Sequence, residues 1–214
     1  MSQKNAIDSI DRLVYSLDIM SERTTKERIL DAAEGLMLEK SFHSVGLTEI
    51  LEAVKVPKGS FYHHFKSKEQ FGVEMLKHYV ADATAYKKQM LLSGTPEPDP
   101  LKRLLSFCEG TICRVLETKG KCPCLVLKLA AEVADMSEAM REVLAAGNRE
   151  AIAILEQVLQ EGLDKKKIAK AVCPAEVAVI IHDLWNGAMQ RSAICRDATP
   201  PREALNFIRA LLTP

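Results

Sequence analysis

"VPKGSFYHHFKSKEQF", residues 56–71, is the stretch most informative about the fold, because it concentrates aromatic and basic side chains. It holds four of the eleven aromatic residues in the chain of 214, at Phe61, Tyr62, Phe65 and Phe71. It also holds three lysines before its first acidic residue, although the whole chain carries 29 basic and 29 acidic residues. A chain without net charge has little general attraction for nucleic acid, so any such binding must be local to a segment of this kind.

The composition is that of an ordinary globular protein. With 47% hydrophobic and 27% charged residues, the chain can bury a substantial core. No apolar run exceeds five residues, far short of the roughly 20 that span a bilayer. The first twenty residues carry Asp8, Asp11 and Asp18 and lack the layout of a secretion signal. We therefore expect a soluble, cytoplasmic protein that does not contact a membrane.

Helix signals precede the quoted stretch. Thr24 and Glu27 have the spacing of a capping box, which predicts a first helix ending near Glu39. Thr48 is the expected cap of a short second helix, and Pro57 breaks that helix because the residue before a proline disfavours helical backbone.

Two more helices are predicted within and after the quoted stretch. Residues 58–64 suffice for about two helical turns. Ser67 and Gln70 have the spacing of another capping box, which opens a long helix to about Leu92. Two short helices joined by a tight turn are typical of the helix-turn-helix, whose second helix enters the DNA major groove.

The remainder of the chain predicts an all-α protein. Residues 1–20 are interpreted as an N-terminal extension, with Met20 as a candidate start of translation. "SGTPEPDP", residues 93–100, is a linker because its three prolines cannot continue a helix. Apolar residues at helical spacing beyond it predict five helices, over about residues 101–118, 124–134, 137–162, 174–193 and 201–212.

The quoted stretch has the residue types that bind DNA. Its lysines and the one just before it suit phosphates: Lys55, Lys58, Lys66 and Lys68. Its short or flat polar side chains suit phosphates and base edges: Ser60, Tyr62, His63 and His64. Gly59 lets the backbone approach an anion closely. Phe61 and Phe65 are four residues apart and share one face, which we expect to be core, leaving Tyr62 and His63 on the exposed side.

Residues from about Thr25 to Lys77 resemble the DNA-binding domain of the TetR/AcrR family of transcriptional regulators, and the quoted stretch is similar to the most recognisable motif of that family. The resemblance implies a three-helix DNA-binding domain over residues 21–70, connected by the long helix to a larger helical domain over residues 71–214. That second domain would bind a small-molecule effector and form a homodimer on a palindromic, double-stranded DNA operator. The DNA contacts it implies are Thr48, Lys58, Gly59, Ser60, Tyr62, His63 and Lys68.

A cysteine-containing segment of the second domain is also informative. "GKCPCLVLKLAAEVADMSEAMR", residues 120–141, resembles the segment around a reactive cysteine in one subgroup of the family, with Cys124 as the matching thiol. A helix start with lysines nearby favours the reactive thiolate, and Cys122 is placed to resolve an oxidised partner or to share a soft metal. The alternative is an apolar effector pocket beside inert cysteines.

No cofactor, metal site or catalytic constellation is predicted. His182 is expected to be a satisfied core residue. Two late helices carry more apolar surface than a small bundle needs, and the resemblance implies that they form the dimer interface, with candidates Val177, Ile181, Leu184, Trp185, Leu205 and Ile208. The leading hypothesis is a repressor released from DNA by an effector or by thiol modification. The alternatives are a thiol-based oxidoreductase, which the Cys-Pro-Cys spacing disfavours, and a helical adaptor that does not bind DNA.

Overall fold

The computed structural model describes residues 23–92, 96–121 and 124–214. The predicted extension over residues 1–20, the candidate start at Met20 and the thiol of Cys122 lie outside these residues. Within them the protein contains nine α-helices and no strand, which confirms the all-α fold class. The described chain divides between Met75 and Leu76 into two compact units. No helix in the described ranges is long and apolar enough to cross a membrane.

The first unit contains three helices and the start of a fourth: α1 (Thr25–Glu39), α2 (Leu47–Val54), α3 (Lys58–His64) and α4 (Lys68–Leu91). The capping box at the start of α1 is confirmed, because the Thr24 hydroxyl accepts from the Glu27 amide and the Glu27 carboxylate accepts from the Thr24 amide at 2.8 Å. Helix α3 has the predicted bounds, and α4 ends one residue before the predicted Leu92.

Two predicted caps differ in detail from the structure. Thr48 does not cap α2, because the helix begins at Leu47, two residues earlier than a cap at Thr48 would place its start. Gly46 is the N-cap, and its carbonyl accepts from the Ile50 amide at 3.3 Å. At the start of α4, the Ser67 hydroxyl accepts from the Gln70 amide at 3.0 Å as predicted. The Gln70 side chain, however, accepts from Lys66 rather than from Ser67, at 2.9 Å.

An aromatic cluster holds the first unit together. Phe61 of α3 and Phe65, the C-cap residue of that helix, pack against Phe71 of α4, with ring centroids 5.0–5.3 Å apart. All three rings are buried, which confirms the predicted core role of Phe61 and Phe65. Burying a large aromatic side chain stabilises a fold by roughly 1.5–3 kcal/mol, so these rings are a main reason why the short α3 keeps its helical form.

The second unit contains the rest of α4 and five further helices: α5 (Pro100–Glu117), α6 (Leu125–Ala134), α7 (Glu138–Asp164), α8 (Pro174–Cys195) and α9 (Thr199–Leu212). Each lies within about two residues of its prediction, because prolines and caps define the ends. Asp99 caps α5 by accepting from the amides of Leu101 and Lys102. Helix α7 packs against α5, α6 and α8, and α9 packs against α5 and α8.

The core of the second unit corrects part of the predicted dimer interface. Ile181, Leu205 and Ile208 are at most 5% exposed and belong to this core, so a second chain cannot reach them. Val177, Leu184 and Trp185 are half-buried against the same core. The sequence does not separate the two faces, because apolar residues occur on both sides of α8 and only tertiary packing decides which side is covered.

Candidate nucleic-acid interface

Helix α3 presents polar side chains on the side opposite its buried rings. Phe61 is 3% exposed, whereas the neighbouring Tyr62 is 56% exposed, and the two rings meet edge to face with centroids 5.5 Å apart. His63 is exposed and His64 is half-buried, with their ring centroids 5.1 Å apart. The buried phenylalanines therefore fix which way Tyr62 and His63 point.

The start of α3 is open. Gly59 is exposed, and a Cβ atom built on it would meet nothing within 4 Å. Packing among the described residues thus does not require glycine here, and the open space is consistent with close approach of a molecule outside the chain. Ser60 is half-buried, and its amide donates to the Pro57 carbonyl at 2.9 Å.

Three lysines beside α3 are free to bind anions. Lys55, Lys58 and Lys66 are exposed, and none of them forms an ion pair with a described residue. By contrast, Lys26 pairs with Glu74 at 2.9 Å and Lys40 pairs with Glu49. Within the described part of the first unit, the lysines without an ion pair are therefore those around α3, where they suit phosphate oxygens.

Lys68, at the start of α4, has a role inside the unit. Its Nζ donates to the His43 carbonyl at 3.4 Å and lies 5.3 Å from the centre of the Phe42 ring, which is a cation–π contact. Sequence reasoning missed these contacts, because His43 is 25 residues away in the chain and no local signal joins the two positions. The side chain is still exposed.

Thr48 is exposed on the first turn of α2. Because Gly46 caps that helix, the Thr48 hydroxyl is not used as a cap. Its position therefore leaves it available for a contact outside the chain.

Cys124 lies at a helix start in the second unit, as its sequence position suggests. It is the N-cap residue of α6, it is half-buried, and its side chain makes no capping hydrogen bond. The first amide of α6, from Leu125, donates instead to the Tyr79 hydroxyl of α4 at 3.0 Å. The structure thus places Cys124 beside a contact between α6 and α4.

The other described cysteines differ in how far their thiols are exposed to solvent. Burial raises the pKa of Cys108 to about 12, so this thiol stays protonated and unreactive at neutral pH. Cys113, Cys173 and Cys195 are exposed.

The described residues contain no group of three or more His, Cys, Asp or Glu side chains arranged to hold a metal ion. His182 is largely buried, with ring nitrogens near Asp183 at 3.0 Å and Asn186 at 3.1 Å.

The outer faces of α8 and α9 carry exposed apolar side chains that were not predicted as interface residues. The largest are Val179, Ile180, Ile194 and Phe207, which are 41–80% exposed. Gly187 lies among them in the middle of α8, and a Cβ atom on it would meet nothing within 4 Å. Arg191 and Glu203 join the two helices beside this face at 4.0 Å.

Comparison with known protein families covers both units. Residues 29–75 match the domain family described as "Bacterial regulatory proteins, tetR family". Residues 100–208 match the one described as "Tetracyclin repressor-like, C-terminal domain". Together these matches cover more than half of the chain.

Individual relatives agree with the family match. The transcriptional repressor NemR of Escherichia coli (strain K12) is 35% identical over 192 residues, covering 90% of this chain and 96% of NemR. The repressor DhaR of Mycobacterium sp. (strain GP1) is 26% identical over 198 residues, covering 91% and 96%. The crystal structure of reduced E. coli NemR superposes with a TM-score of 0.80 at 36% identity, covering 89% of this chain and 99% of that one. The chain therefore belongs to the TetR family of DNA-binding transcriptional regulators and is not an enzyme.

Proposed function

We propose that this protein is a cytoplasmic repressor that binds a near-palindromic operator as a homodimer and leaves it in response to an effector or to thiol modification. The observation that best supports DNA reading is the orientation of α3, which exposes Tyr62 and His63 over the buried Phe61. Residues up to Met75 would bind DNA, and those from Leu76 onward would bind the effector and the second chain. Repression is proposed because NemR and DhaR are repressors.

Each predicted DNA contact has a role that fits its surroundings. Lys58, Lys68 and the Thr48 hydroxyl would bind phosphates, and Tyr62 and His63 would lie closer to the base edges. Gly59 and Ser60 would let the start of α3 approach the backbone. In such an interface phosphate contacts position the protein and base contacts specify the sequence.

Dimer formation would use the outer face of α8 and α9. Ile180, Gly187 and Ile194 are spaced by seven residues, so they form one stripe along α8, and Phe207 contributes from α9. Val177, Leu184 and Trp185 are half-buried and remain candidate contacts. Pairing these faces about a two-fold axis would bury the exposed apolar surface in a four-helix bundle.

Thiol modification would act through the start of α6. An adduct on Cys124 adds volume next to the hydrogen bond between Leu125 and Tyr79, and overpacking of a packed site typically costs about 1–3 kcal/mol. That free energy shifts a two-state equilibrium about five- to a hundredfold if the released state accommodates the adduct. Release by a reversible ligand is the alternative.

A mobility-shift assay with DNA from upstream of the gene tests DNA binding. We expect wild type and Arg149→Gln, a change of an exposed residue in the second unit, to bind alike. His63→Ala should lose preference for the operator over random DNA. If His63→Ala kept full preference, the proposed base-reading role of α3 would be wrong.

Maleimide labelling with mass mapping tests the thiol response. We expect Cys124 to be alkylated, buried Cys108 to stay unlabelled, and labelling to release wild type from DNA. Cys124→Ser should resist release, whereas Cys122→Ser reports any contribution of the second thiol. Release of Cys124→Ser as readily as wild type would contradict the thiol mechanism and favour a reversible ligand.

A further inference from the structure

One half-buried face of α5 meets α4 inside the second unit. Phe107, Thr111 and Arg114 follow one another at helical spacing, and all three are half-buried. Tyr86 of α4 lies against this face, with its ring centroid 6.0 Å from that of Phe107. The Thr111 hydroxyl donates to the Phe107 carbonyl at 3.0 Å, so it is already used within α5.

Arg114 differs from the other arginines that are buried or half-buried in the described part of the chain. The four arginines of this kind are Arg23, Arg28, Arg103 and Arg114. Arg23 pairs with Asp31, Arg28 donates to the Val54 carbonyl at 2.8 Å, and Arg103 pairs with Glu161. The Arg114 guanidinium makes neither an ion pair nor a hydrogen bond with any described residue. A guanidinium that the chain leaves unpartnered can bind an anion from outside the chain through charge-assisted hydrogen bonds.

Tyr86 supplies a second donor at the same place. Burial raises the pKa of Tyr86 above its ordinary value, and the positive charge of Arg114 opposes this increase, so the two groups are close enough to interact. The phenol therefore keeps its proton at neutral pH. Its hydroxyl makes no hydrogen bond with a described residue and can donate one to an oxygen outside the chain.

We propose that Tyr86, Phe107 and Arg114 bind a small monocarboxylate with a flat apolar body. Arg114 would bind the carboxylate through charge-assisted hydrogen bonds, Tyr86 would donate a further one, and the Phe107 ring would contact the apolar body. The inference rests on the proposed effector response and specifies the chemical class of a reversible effector. Because Tyr86 belongs to α4 and Arg114 to α5, a bound carboxylate would join these two helices.

Calorimetric titration of the full chain with benzoate, in the absence of DNA, tests the site directly. Benzamide has nearly the same shape without the charge and is the matched ligand control. We expect benzoate to bind wild type saturably and benzamide to bind at least about tenfold more weakly. Equal binding of the two ligands, or no binding of benzoate, would overturn the proposal.

Variants locate the site and separate a binding role from a structural one. Arg114→Gln should weaken benzoate binding at least about tenfold and Tyr86→Phe about fivefold, whereas Arg149→Gln removes an exposed arginine and should leave it unchanged. Arg114 also lies in the last turn of α5, where a positive charge favours the helix dipole. If that is its whole role, Arg114→Gln lowers the melting temperature but binds benzoate like wild type, and the proposal is wrong.

A second assay distinguishes this inference from the proposed function. Benzoate is added to the wild-type protein on its operator, with Tyr86→Phe as the comparison. Failure to bind operator at all would contradict the proposed repressor while leaving the calorimetric result valid. Benzoate binding that leaves operator affinity unchanged would contradict the effector role of the site.

Discussion

The Tyr79 hydroxyl accepts a hydrogen bond of 3.0 Å from the backbone amide of Leu125. Leu125 is the first residue of α6, and the N-cap residue Cys124 offers no capping side-chain bond. A side chain of α4 therefore satisfies one of the amides that have no partner within the helix, as a Ser or Asp cap does at the start of other helices. The start of α6 is stabilised by tertiary structure rather than by its own sequence.

Tyr79→Phe should lower the free energy of unfolding by about 1 kcal/mol, since it leaves the first amide of α6 without this acceptor. Chemical denaturation monitored by circular dichroism measures the change. Tyr62→Phe is the matched control, because Tyr62 is exposed, and it should stay within about 0.5 kcal/mol of wild type. Equal effects of the two substitutions would show that the Tyr79 hydroxyl does not cap α6.

Lys58→Gln should weaken binding to all DNA sequences alike. Removing one phosphate contact lowers the magnitude of the salt slope by about 0.9, so a dimer, in which the substitution occurs twice, should show a decrease of about 1.8. Binding titrations at several salt concentrations give the slope. Lys40→Gln is the control, because Lys40 is engaged with Glu49, and it should change the slope less. An unaltered slope with a changed sequence preference would place Lys58 at a base.

Gly187→Leu should weaken the dimer. A Cβ atom on Gly187 would meet nothing within 4 Å. Replacing a helix glycine also favours the helix by up to about 1 kcal/mol, so we would attribute a weaker association to the contact with the second chain. Analytical ultracentrifugation over a range of concentrations measures it. Gly110→Leu on α5 is the control, since that position is also exposed and open. Similar self-association of the two variants would argue against the α8 face.

Gly120→Ala should destabilise the second unit. The residue has a φ of +76°, and a Cβ atom on it would lie 2.5 Å from the Cα of Arg196, so both strain and a backbone clash oppose alanine. We expect the free energy of unfolding to fall by at least about 1 kcal/mol in thermal or chemical denaturation. Gly46→Ala should lower the free energy of unfolding by less, because a Cβ atom on Gly46 would meet nothing within 4 Å. A Gly120→Ala protein as stable as wild type would contradict the close contact with Arg196.

Local signals in the sequence were sufficient for the helices. The Thr24 capping box, the linker prolines and the apolar periods act over a few residues, so they could be located before any tertiary structure was known. Thr48 shows the limit of such signals. Threonine is a good capping residue, but here it lies inside the first turn of α2, and Gly46 is the N-cap. The exposed polar face of α3 was predicted because Phe61 and Phe65 share the opposite face.

Features that depend on packing between distant segments could not be predicted. Ile180 and Ile181 are neighbours of the same type, yet one is 52% and the other 2% exposed, and only the packing of α8 on α7 and α9 separates them. The contact of Lys68 with His43 and the unpartnered guanidinium of Arg114 have the same origin. Each depends on which helices become neighbours, and that information is spread over the whole unit.

The dependence of α3 on its aromatic cluster has a thermal consequence. A helix of seven residues is far below the length of about 12–15 at which isolated helices become even marginal in water, so α3 persists only while Phe61 and Phe65 stay packed against Phe71. Heating that loosens these rings would unfold the proposed DNA-reading face of α3 as a whole instead of weakening its contacts one by one. DNA reading would then decline steeply with temperature, at the point where this small cluster opens, even if the second unit were still folded.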